Sequence, residues 1–156
     1  MHDFKYCIWA CLDQEHPWNY YNFASKYGLH ITIDSHLATL DTAITTFNDI
    51  IKNVNTIKIG LDAMNPVVCW EPDFNALYFR SYVIPWSQEP WWWPKDAHVS
   101  FSYSYGPRKL RGLNEVWYIQ KSIFKHNTAD INRIKLVRCT GDFDKHWFVI
   151  REHKIS

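Results

Sequence analysis

Neither sign of charge dominates this chain of 156 residues: 17 lysines and arginines stand against 16 aspartates and glutamates, for a formal net charge of +1. No global field therefore draws it to nucleic acid or to an anionic membrane, and any anion site must be local. No apolar run approaches the roughly 20 residues that a membrane span needs, so no membrane partner is expected. No linker or low-complexity tract divides the chain, and its length suits one domain over residues 1–156. The four cysteines, Cys7, Cys11, Cys69 and Cys139, form neither a CxxC nor a metal-like spacing. With no secretory leader ahead of them, they read as reduced core thiols of a cytoplasmic protein. Eight histidines raise the question of a metal, but neither HxH nor HExxH occurs, and no metal or other cofactor is expected.

What is present is apolar and aromatic. Hydrophobic residues make up 47% of the chain, too many for disorder, and Trp, Tyr and Phe occur nine times each. So many rings can fill a core and still leave some to stack on a ligand. Two short stretches rhyme: His30-Ile31-Thr32-Ile33 and His98-Val99-Ser100-Phe101. Side chains alternate along a strand, so His30 and Thr32 share one face, as do His98 and Ser100, while the apolar residues take the other. A third copy, His126-Asn127-Thr128, lies among polar residues and reads as a loop. One such motif alone is more often a core histidine than a catalyst. Two on strands point to a shared cleft.

In chain order, residues 4–12 read as a strand, with Tyr6, Ile8 and Ala10 on one face and Lys5, Cys7, Trp9 and Cys11 on the other. Residues 18–26 suggest a short helix stopped by Gly28. Asp34 and Ser35 offer caps for an amphipathic helix in which Leu37, Leu40, Ala43, Ile44, Phe47, Ile50, Ile51 and Val54 recur every three or four residues. Strands are expected at 56–61, 67–71 and 76–84, the last two as a hairpin. Three prolines and four tryptophans make 85–96 neither strand nor long helix. Residues 106–114 form a basic loop, 116–124 fit either strand or helix, and 134–139 with 146–150 make a closing hairpin.

Paired His-x-Thr/Ser motifs on strands of a mixed chain resemble the 2H phosphoesterase (LigT-like) superfamily. The likeness is closest at His98-Val99-Ser100-Phe101-Ser102-Tyr103 and extends to the strand and helix that follow the first motif and to the terminal hairpin. The compact viral 2′-5′ phosphodiesterases are the nearest-looking subgroup. The resemblance implies an α+β, bilobed fold, with lobes of roughly 1–84 and 85–156. Two antiparallel sheets would form a central cleft with the helices outside. It also implies metal-independent cleavage of 2′-5′ linkages, 2′,3′-cyclic phosphates or related diesters.

That chemistry needs a proton removed from the attacking oxygen and one delivered to the leaving oxygen, which two histidines in opposite protonation states perform near neutral pH. His30 and His98 are the expected acid–base pair, with neither assigned to one role. Thr32 and Ser100 would hydrogen-bond the non-bridging oxygens. Trp9, Trp93, Tyr103 and Tyr105 are candidate stacking partners for a base, and Lys95 and Arg108 candidate phosphate ligands. The tryptophans read equally well as plugs at the edge of the core, and the basic loop as a solvated turn. The expected substrate is a small nucleotide: a 2′,5′-oligoadenylate or a cyclic dinucleotide, acted on by a monomer, and in the host cytoplasm if the source is viral. There, cleavage would blunt nucleotide-based immune signalling. The rival expectations are an RNA end-processing enzyme opening 2′,3′-cyclic phosphates and an inactive nucleotide- or RNA-binding module.

Overall fold

A computed structural model of the protein describes residues 5–24, 27–72, 74–105, 112–139 and 147–155. The first strand, β1 (Lys5–Leu12), splits its side chains as the alternation predicts: Ile8, Ala10 and Leu12 join the main core, while Cys7, Trp9 and Cys11 join Val137 in a smaller cluster on the opposite face. Of the segment expected as a helix over 18–26, the described residues form a short 3-10 turn, Pro17–Tyr21, while residues 25–26 lie outside the described residues. His16 caps this turn, its Nδ1 accepting from the Trp18 backbone N–H at 3.2 Å, and Trp18 is fully buried. Gly28 does not end a helix. It takes φ +85°, a conformation open to glycine, in the turn that leads into the next strand.

That strand, β2 (His30–Leu37), runs past the caps expected at Asp34 and Ser35. Asp34 pairs with Ile8 and Leu37 with Tyr6 in the antiparallel ladder to β1, so the sheet claims this backbone and the helix starts later. Thr39 becomes the cap, its hydroxyl accepting from the Thr42 N–H at 3.2 Å, and α1 (Leu40–Ile51) buries Ala43, Phe47 and Ile50 along one face. Next come β3 (Ile57–Leu61), β4 (Val67–Trp70) and β5 (Phe74–Val83), with β4 and β5 paired as the expected hairpin. Beyond a 3-10 turn at Trp86–Gln88 the chain enters β6 (His98–Tyr105). The stretch left open as strand or helix is α2 (Val116–Lys125), with Ile119 and Ile123 buried one turn apart. The closing pair is β7 (Ala129–Cys139) and β8 (Phe148–Lys154), β7 beginning earlier than its apolar run suggests.

Where the resemblance implies two sheets, hydrogen bonding among the described residues runs through one of eight strands, mostly antiparallel, in the order β1-β2-β6-β5-β3-β7-β8, with β4 on β5. Because β1 also pairs with β7 along its whole length, the strands β1, β2, β6, β5, β3 and β7 close a circuit. Strands from the two halves of the chain interleave in it: β6 lies between β2 and β5, and β7 between β1 and β3. The narrowest joint in the circuit is β2 to β6, a single residue pair, Ile31 with Val99. One face of the strands, with the buried sides of α1 and α2, makes the main core. No helix among the described residues is long and apolar enough to cross a membrane.

Candidate active site

The joint between β2 and β6 is where the two rhyming motifs meet. Ile31 and Val99, both fully buried, turn their side chains into the main core. Alternation then sends His30, Thr32, His98 and Ser100 to the other face. Antiparallel pairing centred on Ile31 and Val99 sets His30 toward Ser100 and His98 toward Thr32, around a local two-fold axis. All four side chains line one cavity of about 320 Å³. That volume is at the small end of the range for ligand clefts, roughly 300–1,000 Å³.

The local symmetry extends to how each imidazole is held. Nδ1 of His30 lies 3.0 Å from the Gly28 carbonyl oxygen, and Nδ1 of His98 lies 2.7 Å from that of Asp96, in each case two residues upstream. A carbonyl only accepts, so Nδ1 carries the proton in both rings and Nε2 is left for a ligand. Each ring also packs on an aromatic from the neighbouring strand. Trp9, opposite Thr32 in the ladder, stacks on His30 with ring centroids 3.9 Å apart and 17° between planes. Tyr78, opposite Ser100, packs on His98 at 4.5 Å. Burial lowers the His30 pKa from 6.5 to about 4, against the stabilising Gly28 carbonyl; the charge of Lys135 and the presence of His98 push the same way as burial. His30 is therefore neutral at neutral pH. Lys135, itself only 6% exposed, stands opposite Trp9 on β7 and lies 4.0 Å from Glu152.

Among the residues expected to bind substrate, Trp9 and Tyr103 line the cavity. Trp9 is 2% exposed with one face covered by His30, which makes it a support for the imidazole. Trp93 packs against the main core and Lys95 is exposed; neither is among the residues lining the cavity. Within the tryptophan run Trp92 is buried at 8% and Trp91 is exposed at 76%. Arg108 and the side chain of Tyr105 lie outside the described residues.

Sequence reasoning missed Tyr78, and it did not mark Lys5, Phe74 or Trp147 as site residues, although these last three line the cavity. For Lys5 a signal existed, since strand alternation puts it on the Trp9 face. Trp147 follows β7 and accepts at its backbone carbonyl from the Tyr27 hydroxyl; its indole Nε1–H is buried without a partner among the described residues. Among the described residues no group of three His, Cys, Asp or Glu is placed to hold a metal ion. Comparison with family models and with curated proteins finds no match to this chain.

Proposed function

We propose that the protein is a metal-independent phosphodiesterase of the 2H type that cleaves 2′-5′-linked nucleotides by acid–base catalysis between His30 and His98. The observation that carries this reading is the pair of imidazoles lining one cavity, each fixed through Nδ1 and each leaving Nε2 free among the described residues. His30, neutral above about pH 4, is the general base: its Nε2 takes the proton from the attacking oxygen. In a 2′-5′ linkage that oxygen is the vicinal 3′-hydroxyl, which attacks phosphorus and closes a cyclic phosphate. His98, on the opposite side of the local two-fold axis, is the general acid and protonates the departing 5′-oxygen. Thr32 and Ser100 donate to the non-bridging oxygens, where negative charge grows in the transition state.

The cavity supports a small substrate. About 320 Å³ accommodates the reacting phosphate and an adjoining nucleoside, with the rings of Tyr103 and Trp147 available to a base and Lys5 to a further phosphate. A net charge of +1 likewise favours a short nucleotide, linear or cyclic, over long RNA, whose affinity rests on many phosphate contacts.

Incubation of the purified chain in EDTA with 2′-5′ and 3′-5′ oligoadenylates and with cyclic dinucleotides tests the reading. Cleavage confined to 2′-5′ linkages is expected. His30→Ala and His98→Ala should abolish turnover while keeping the wild-type circular dichroism spectrum, and Thr32→Val or Ser100→Ala should each lower kcat by about 10²–10³-fold. Binding without turnover would identify a nucleotide-binding module instead, and opening of 2′,3′-cyclic phosphates alone an RNA end-processing enzyme.

A further inference from the structure

Two cysteines occupy the wall of the same cavity, and the acid–base chemistry uses neither. Cys7 on β1 and Cys139 at the end of β7 both line it. In the β1–β7 ladder Cys7 faces Val137 and Cys139 faces Lys5, so the cysteines are diagonal neighbours across an antiparallel pair. Their sulfurs lie 2.9 Å apart, the Cys139 thiol donating to Cys7 Sγ. A disulfide bond is about 2.05 Å long, so less than about 1 Å of movement closes it. Cys139 is only partly buried and reaches the cavity, which gives a small reagent a way in. The sequence reads as four reduced core thiols, and the structure holds them as free thiols, two of them in contact with each other on the cavity wall.

We propose that Cys7 and Cys139 are a dithiol modification site that a hydroperoxide converts to a disulfide on the cavity wall. The Cys139 S–H bond lowers the Cys7 pKa, outweighing burial, and the same bond raises that of Cys139. Cys7 is thus the more acidic thiol of the pair and the one that attacks, as its thiolate when its proton is lost. Its sulfur attacks one peroxide oxygen and the O–O bond breaks. The other oxygen leaves and takes up the proton that the Cys7 thiol gave up, as water from hydrogen peroxide or as an alcohol from an organic hydroperoxide, and Cys7 becomes a sulfenic acid. Cys139 sulfur then attacks Cys7 sulfur, and the displaced hydroxide takes the Cys139 proton and departs as water. Two thiols are oxidised and one peroxide bond is reduced, so electrons balance. The remaining cysteines serve as internal controls. Cys11 is 3% exposed with its thiol pushed up to about 12 by burial, and Cys69 on β4 faces Ala76.

The test is treatment of the full chain with equimolar hydrogen peroxide, followed by intact mass and peptide mapping. The expected product is a monomer lighter by about 2 Da, the two hydrogens lost to one disulfide. Its map should carry a Cys7–Cys139 cross-link that dithiothreitol reverses, with Cys11 and Cys69 recovered as free thiols after denaturation. In Cys139→Ser the lighter species should be lost and a sulfenic acid at Cys7 trapped by dimedone. Recovery of Cys7 and Cys139 as free thiols after treatment, or a cross-link through Cys69 or between two chains, would overturn the proposal. The wild-type map decides the matter by itself even if the variant does not fold, and its readout is independent of any nucleotide activity.

Discussion

A histidine that donates through Nδ1 to the carbonyl of Gly28 and is shielded from water by Trp9 has one chemical option left, to accept a proton at Nε2. Burial opposes that protonation and sets its pKa at about 4. This makes a distinctive kinetic prediction. A free imidazole base would cut activity off near pH 6.5, whereas His30 stays competent well below that. The acid limb of kcat/KM should therefore fall near pH 4, measured on a 2′-5′ dinucleotide from about pH 3 to 8 at constant ionic strength. Replacing Trp9 by leucine, which removes the stacked ring that shields the imidazole, should move the limb upward. A wild-type limb at 6.5 would remove His30 from the role of base. The carbonyls that hold both rings explain why side-chain motifs do not disclose the site's tautomers: the deciding partners, at Gly28 and Asp96, are backbone atoms.

At the scale of elements, alternation along β1 was legible in the sequence because one face packs into each core cluster. The late start of α1 was not. Asp34 and Ser35 are good caps in isolation, but their backbone lies in a strand already paired with β1, and tertiary pairing outranks a local cap. Tyr78 was hidden for a related reason: only the β5–β6 register shows that it stands beside the second histidine. The far end of β6 yields a stability prediction. A Cβ added at Gly112 would come within 2.6 Å of the Cβ of Ser102, which is 1% exposed and anchored in β6. A Cβ at Gly60 would meet only the outer end of the Tyr82 ring, at 2.8 Å, and that residue is 49% exposed and free to swing. Gly112→Ala should therefore cost about 1–3 kcal/mol and Gly60→Ala far less, read from urea midpoints. Equal losses would mean that Ser102 yields as easily as an exposed ring.

The whole molecule closes its strand circuit through Ile31 and Val99, so the rings flanking that joint are part of the fold as well as of the cavity. The motifs carried this much from the sequence; that they would sit on adjacent strands of one sheet depends on pairings between residues far apart in the chain. His30 is neutral in the folded state, and so is His16, whose pKa burial also lowers. His16 Nε2 donates to the Thr128 carbonyl at 2.8 Å while its Nδ1 accepts from Trp18, so a second proton would break the cap on the 3-10 turn. The unfolded chain binds a proton at each site near pH 6.5, whereas folded His30 does so only near 4. Between those values the unfolded state holds more protons, so stability is full above about pH 6.5 and falls as pH drops toward 4. Each histidine adds at most about 1.36 kcal/mol per pH unit to that slope. Urea midpoints taken from pH 4 to 8 should show wild type falling more steeply on the acid side than the His16→Gln, His30→Gln double variant, with carboxylate titration common to both. Parallel curves would mean that these imidazoles are as free to take up a proton in the folded chain as in the unfolded one.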